Sequence, residues 1–250
     1  MANVYIDPGH GGTDPGAVDG TQNDPLYTRE KDVNLAIGLK LQAALKRCGQ
    51  QVKMSRTSDT YPSLSARSSA ANAWPATVFV SVHCNALTDG APARGIEILI
   101  YPNSVKGRAL GEAIFGYISA VSPWADRSVR NDTRGLHVLS ATKMPAVIVE
   151  YGFLTHSAEE ALLTTSEYQT KMAEATAHGI CKYLGVSYLA PVVTPPPTTP
   201  PPADPHIAEI AALKAAMTEL TRQADSWKLA IDNLKARVRA ALEEDRKSVV

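Results

Sequence analysis

Neither sign of charge prevails in this chain: 25 lysines and arginines stand against 25 aspartates and glutamates, a formal net charge of zero. Binding to nucleic acid or to anionic polymers through an overall field needs a basic surplus, so composition offers no electrostatic case for either. Cysteine is scarce. Cys48, Cys84 and Cys181 are odd in number and widely spaced, which does not suit a disulfide framework. They read as small buried hydrophobes or free thiols. No apolar run approaches the ~20 residues that cross a membrane, so no membrane partner is expected. The first apolar run begins at Val4, which leaves no room for the cationic start and apolar core of an export signal. The chain therefore reads as one without a signal peptide.

What is present is concentrated in four places. Val4-Tyr5-Ile6 reads as a buried strand that stops at Pro8-Gly9, with His10 on the turn and Gly11-Gly12 behind it. Open α/β sheets carry their working residues at the carboxyl ends of strands, which is where this histidine falls. Alone, such a histidine is more often a turn residue bonded to backbone. Glu30 precedes apolar residues at Val33, Ile37, Leu41, Ala44 and Leu45, the spacing of one helical face. That sets Glu30 at a helix start, where the helix dipole by itself favours a carboxylate.

The third and fourth places are cleaner. Thr77 to Val82 reads as a buried strand, and His83 follows as it ends. Pro145 to Val149 is another apolar run, and it delivers Glu150. Carboxylates are rarely buried unless paired or bound to metal. Two imidazoles and one carboxylate with an open fourth position form the catalytic zinc pattern. A second carboxylate nearby is the usual base on the attacking water. The order His10, Glu30, His83 is no compact spacing motif; the shared placement at strand ends is the stronger signal.

Six segments together carry a resemblance: Asp7 to Gly12, Arg29 to Leu35, Arg56 to Asp59, Ser81 to Ala86, Arg134 to Leu139 and Pro145 to Leu154. With Leu64-Ser65-Ala66-Arg67 and Asn72 between them, they resemble in order the zinc-dependent N-acetylmuramoyl-L-alanine amidases of the type-3 family, from about Asn3 to about Leu184. The resemblance implies an α/β fold: a mixed, mostly parallel sheet flanked by helices on both faces. It implies Zn2+ held by His10, Glu30 and His83, with Glu150 as the catalytic base. The implied substrate is peptidoglycan, cut between the lactyl group of N-acetylmuramic acid and L-alanine of the stem peptide. One position departs from the family pattern: His156 stands where asparagine is usual. It is read as a capping or surface residue, and His137 as a strand-face or groove residue. The alternatives are a zinc peptidase acting within the stem peptide and a non-enzymatic wall-binding or assembly protein. Cys84 beside His83 keeps a cysteine nucleophile open as a weaker reading.

With no signal peptide in view, the resemblance points to a phage endolysin, held in the host cytoplasm until release to the wall. The organisation reads as a catalytic domain over residues 1–188, a proline/threonine-rich linker over 189–204 and a helix over 205–247. The linker cannot form a packed core and should run as an extended polyproline spacer. Beyond it, Ile210, Leu213, Met217, Leu220, Ala224, Trp227, Ile231, Leu234, Val238 and Ala241 alternate three and four apart. That heptad seam predicts a C-terminal coiled-coil helix and a homo-oligomer of unspecified number.

Overall fold

The computed structural model describes residues 1–19, 27–87, 94–124, 126–192 and 227. The chain divides into two compact units, Met1–Pro191 and Val192–Val250. All of the second unit but Val192 and Trp227, and with it the rest of the heptad seam, lies outside the described residues.

The first unit is built on a six-stranded sheet. Its strands are β1 (Asn3–Pro8), β4 (Gln51–Met54), β5 (Val78–Asn85), β6 (Ile96–Ile100), β7 (Asp126–Asn131) and β8 (Ala146–Phe153), in the order β4-β1-β5-β8-β6-β7. β2 (Val18–Asp19) and β3 (Thr28–Arg29) form a separate antiparallel ribbon. The first four strands of the sheet run parallel; β6 meets β8 antiparallel and carries β7 parallel to itself. The sheet is therefore mixed and mostly parallel.

Among the described residues six helices flank it: α1 (Glu30–Arg47), α2 (Leu64–Ala73), α3 (Val105–Val121), α4 (His137–Ser140), α5 (Ser157–Leu163) and α6 (Ser166–Leu184). Alternation along the strands divides the core in two. Val4, Ile6, Val80, Val82, Val147, Val149 and Tyr151 pack with α1, α3 and α6; Tyr5, Phe79, Leu99 and Ile148 pack with Ala71 of α2 and Val138 and Leu139 of α4. A parallel sheet covered on both faces gives near-continuous apolar strands, which is why these runs show little alternation of polarity. In α1 the apolar positions 33, 37, 41, 44 and 45 are all buried. Its acidic first turn and basic last turn both complement the helix dipole.

Two details differ from the expectation. His83 lies inside β5, because pairing with β8 continues past a bulge to Asn85 opposite Phe153. His137 opens α4 and is not on a strand. Asp132 accepts the N–H groups of Arg134 and Leu136, which turns the chain after β7, and Gly135 has φ 73°.

Candidate metal centre

β1 and β5 are neighbours in register, with Pro8 opposite Val82, so the His10 turn emerges beside His83. His10 itself has φ 60°, an uncommon conformation for a non-glycine residue. Two buried guanidiniums hold the turn. Arg56 donates to the carbonyls of Pro8, Gly9 and Lys31; Arg67 donates to those of Pro8 and His10 and to the Asp7 carboxylate. Gly9 must be glycine here, since a Cβ would fall 2.1 Å from Cε1 of His83.

Glu30 enters from the first turn of α1. His10 Nε2 is 3.1 Å from its Oε2 and His83 Nδ1 is 2.9 Å from its Oε1. One candidate ligand atom from each of the three residues lies within 4.8 Å of the others. Behind them, Ala17 N–H donates to Oε2, while Cys84 N–H and Asn34 Nδ2 donate to Oε1. Gly16 approaches so closely that a Cβ would sit 2.5 Å from Glu30 Oε2. Asp14 meets His10 from the far side, its Oδ2 2.9 Å from Nδ1.

The charges follow from this packing. Burial works against a charged His10, but hydrogen bonds to Glu30 and then Asp14 outweigh it and raise its pKa to about 9. Burial likewise works against an ionised Glu30, and the two histidines outweigh it, holding that carboxyl well below its usual range. Glu150 is treated in the opposite way. It sits on β8 opposite His83 in the register, 6% exposed, and its Oε2 has no hydrogen-bond partner among the described residues. Burial lifts its pKa to about 7, against the opposing charge of His83.

Two imidazole nitrogens and a carboxylate oxygen, clustered and backed by hydrogen bonds, suit a divalent transition-metal ion by donor type. The buried, partnerless oxygen of Glu150 beside them fits the same conclusion. The cleft they share is about 460 Å³ and is also lined by Tyr61, Leu64, Arg67, Arg134, Leu136 and His137.

The structure thus brings His10, Glu30, His83 and Glu150 to one cleft, while other expectations fare differently. Cys84 also lines the cleft but is only 3% exposed, and burial pushes its thiol well above its usual range, which disfavours the thiolate a cysteine nucleophile needs. His156 is not among the cleft-lining residues. It caps α5 through its carbonyl, which accepts from Glu159 and Glu160, and not through its imidazole. His137 does line the cleft, with Nε2 3.3 Å from Ser68 Oγ.

Sequence reasoning passed over Asp14 and Glu97. The carboxylate of Glu97, paired opposite Glu150 across β6 and β8, accepts from Asn85, Arg127 and Arg130. A glutamate inside the apolar run Ile96–Ile100 is the same signal that drew attention to Glu150.

A mixed α/β sheet that, with the first turn of α1, gathers this donor set beside a buried second carboxylate defines the class: a candidate metal-dependent hydrolase. Comparison with known proteins gives the family. Residues 4–182 match the N-acetylmuramoyl-L-alanine amidase family, Amidase_3, and the chain belongs to it. It is 36% identical over 183 residues to the sporulation-specific N-acetylmuramoyl-L-alanine amidase of Bacillus subtilis (strain 168), covering 72% of this chain and 67% of that one. The catalytic domain of CwlV, an N-acetylmuramoyl-L-alanine amidase from Bacillus (Paenibacillus) polymyxa var. colistinus, superimposes with TM-score 0.69 at 34% identity, covering 75% of this chain and all of that one. An N-acetylmuramoyl-L-alanine amidase from Clostridium difficile 630 gives TM-score 0.68 at 38% identity, covering 74% and 97%.

Proposed function

We propose that this protein is a zinc-dependent N-acetylmuramoyl-L-alanine amidase that cleaves peptidoglycan between the lactyl group of N-acetylmuramic acid and L-alanine of the stem peptide. The observation that carries the reading is the convergence of His10, Glu30 and His83 within 4.8 Å beside the buried Glu150, in a chain of this family. His10, Glu30 and His83 would hold Zn2+. When bound, such an ion lowers the pKa of water toward ~7 and polarises a carbonyl.

The chain's own residues supply the rest. Glu150 takes the proton of the attacking water and delivers it to the departing amine of L-alanine. A carboxyl with a pKa of about 7 suits both halves of that task. Asp14 fixes the His10 ring, and Arg56 and Arg67 fix the backbone turn that carries it. No side-chain nucleophile is required.

Digestion of purified peptidoglycan, followed by mass analysis of the fragments with and without a chelator, tests the reading. A free lactyl carboxylate paired with a new L-alanine amino terminus, lost on chelation, is the expected result. Cuts within the stem would replace it with a zinc peptidase.

The reading extends to two further points. Residues 205–247, all but Trp227 outside the described residues, associate as a coiled coil and raise the effective concentration of catalytic heads on a polymeric wall. A monomer at high micromolar concentration in sedimentation would remove that part. The proposed setting is an endolysin's. Expression in a host should then cause lysis when a membrane pore is co-expressed and leave cells intact without it.

A further inference from the structure

The wall of the cleft beside Glu150 is made by the turn that follows β7 and by the start of α4. Asp132 builds that turn. Its carboxylate is 2% exposed and accepts the N–H of Arg134 at 2.9 Å and of Leu136 at 2.7 Å. Those are backbone donors, so the turn does not depend on which side chain stands at position 134. Arg134, Leu136, His137 and Val138 then line the cleft in succession.

Two arginines line this cleft, and they are used differently. Arg67 is buried and committed to Asp7 and to three carbonyls, those of Pro8, His10 and Pro62. Arg134 is 56% exposed, and its nearest carboxylate, on Asp132, stands 3.8 Å from Nε, beyond hydrogen-bond range. The other cleft-lining carboxylates are engaged or reserved: Asp7 by Arg67, Asp14 and Glu30 by the histidines, Glu150 by the chemistry. Arg134 is thus a guanidinium facing the substrate space without a hydrogen-bonded anion among the described residues. Its charge also reaches Glu150, where it opposes the effect of burial.

We infer that Arg134 is a specificity-determining residue that binds the free α-carboxylate of the second, acidic residue of the stem peptide. The inference rests on the amidase reading. The bond cut joins the lactyl group to the first stem residue, whose side chain is a methyl group with nothing to offer a guanidinium. The first anionic group on the amine side belongs to the next residue, roughly 7 Å further along an extended chain. A cleft of about 460 Å³ accommodates that much substrate. The guanidinium fork matches a carboxylate through two parallel N–H···O bonds and has no such match with a carboxamide.

The test compares two soluble N-acetylmuramoyl peptides that differ only at the second stem residue: D-glutamate with its α-carboxylate free, and the same residue amidated. With the zinc-loaded full chain, the free acid should be cleaved about tenfold better in kcat/KM, most of it in KM. R134Q should lose the preference and cleave the two substrates with equal kcat/KM, its loss falling mainly on the free acid, and R134K should keep part of the preference. Metal content and melting temperature of R134Q should match the parent, because the backbone donors to Asp132 remain. The inference is overturned if the parent shows no preference, if R134Q keeps it, or if R134Q loses both substrates equally. Failure of the parent to cut either substrate would instead remove the amidase reading beneath it.

Discussion

Glu30 and Glu150 line one cleft, 4% and 6% exposed, and the protein treats the same side chain in opposite ways. Glu30 lies at the start of α1, inside a shell made by Ala17 N–H, Cys84 N–H, Asn34, His10 and His83. Its negative charge is compensated at both oxygens. Glu150 lies in the middle of an apolar strand, with one oxygen bare of partners among the described residues. A carboxylate surrounded by donors stays ionised and suits a cation; one stripped of donors holds its proton to neutral pH and suits proton transfer. The difference lies in the neighbours that the sheet brings to each, and it can be broken by experiment.

The largest expected effect is on turnover. Glu150→Gln should lower kcat by about 10²- to 10⁴-fold, the range for loss of a positioned general base, while zinc content stays at the parent level. Glu30→Gln should do the reverse in kind, lowering metal content first and activity as a consequence. Metal analysis alongside kinetics reads both variants. If Glu150→Gln lost the metal and Glu30→Gln kept it, the roles of the two glutamates would have to be exchanged.

A second effect concerns stability, with a definite sign. Glu150 has a folded-state pKa of about 7 against the ordinary 4.5. Below about pH 4 both the folded and unfolded chains hold the proton, and burial of the carboxyl is not penalised by charge. Between about pH 4.5 and 7 the unfolded chain releases it and the folded chain does not, so this group lowers stability as pH rises, by up to ~3 kcal/mol in all. Glutamine carries no such charge. Metal-free Glu150→Gln should therefore outlast the metal-free parent in urea at about pH 8, and the gap should close as the pH falls to about 4. Glu30 contributes with the other sign, since its folded pKa is depressed and its support is lost on acidification. A gap for Glu150→Gln that stays constant over this range would mean that packing, and not charge, sets the difference.

Much of this arrangement was legible in the chain because it rests on short-range pattern. β-branched runs leading into Pro8, His83 and Glu150 mark strands, although β5 and β8 continue past the last two, and the three-and-four spacing from Val33 to Leu45 marks the helix that starts at Glu30. Fold architecture and family came from motif order between Asn3 and Leu184. The partners that tune the site were not legible, because they meet across long separations. Arg67 reaches Asp7 over 60 positions and Cys84 reaches Glu30 over 54, and no periodicity encodes either contact. Of the two readings of His137, the groove holds and the strand face does not, because the Asp132 turn that starts α4 depends on side-chain acceptance of backbone N–H groups. Asp14 could have been seen: it lies four residues after His10, within reach of the ring once the turn closes.

That residue gives the smallest effect and the finest probe of the metal site. Asp14 touches two parts of the shell: Oδ2 orients the His10 ring through Nδ1, and Oδ1 accepts Gly16 N–H at 3.1 Å, shaping the loop that presents Ala17 N–H to Glu30. An asparagine in its place would keep the size and one acceptor but lose the charge that favours a donor at His10 Nδ1. Metal affinity of Asp14→Asn, measured by competition with a chromogenic chelator, should fall about 10- to 100-fold, the usual cost of losing a carboxylate behind a ligating histidine. Turnover at saturating zinc should fall less, since Glu150 and the cleft wall are untouched. Arg67, which holds the His10 carbonyl, offers the competing explanation that backbone restraint alone aims the ring. Unchanged affinity in Asp14→Asn would favour that explanation.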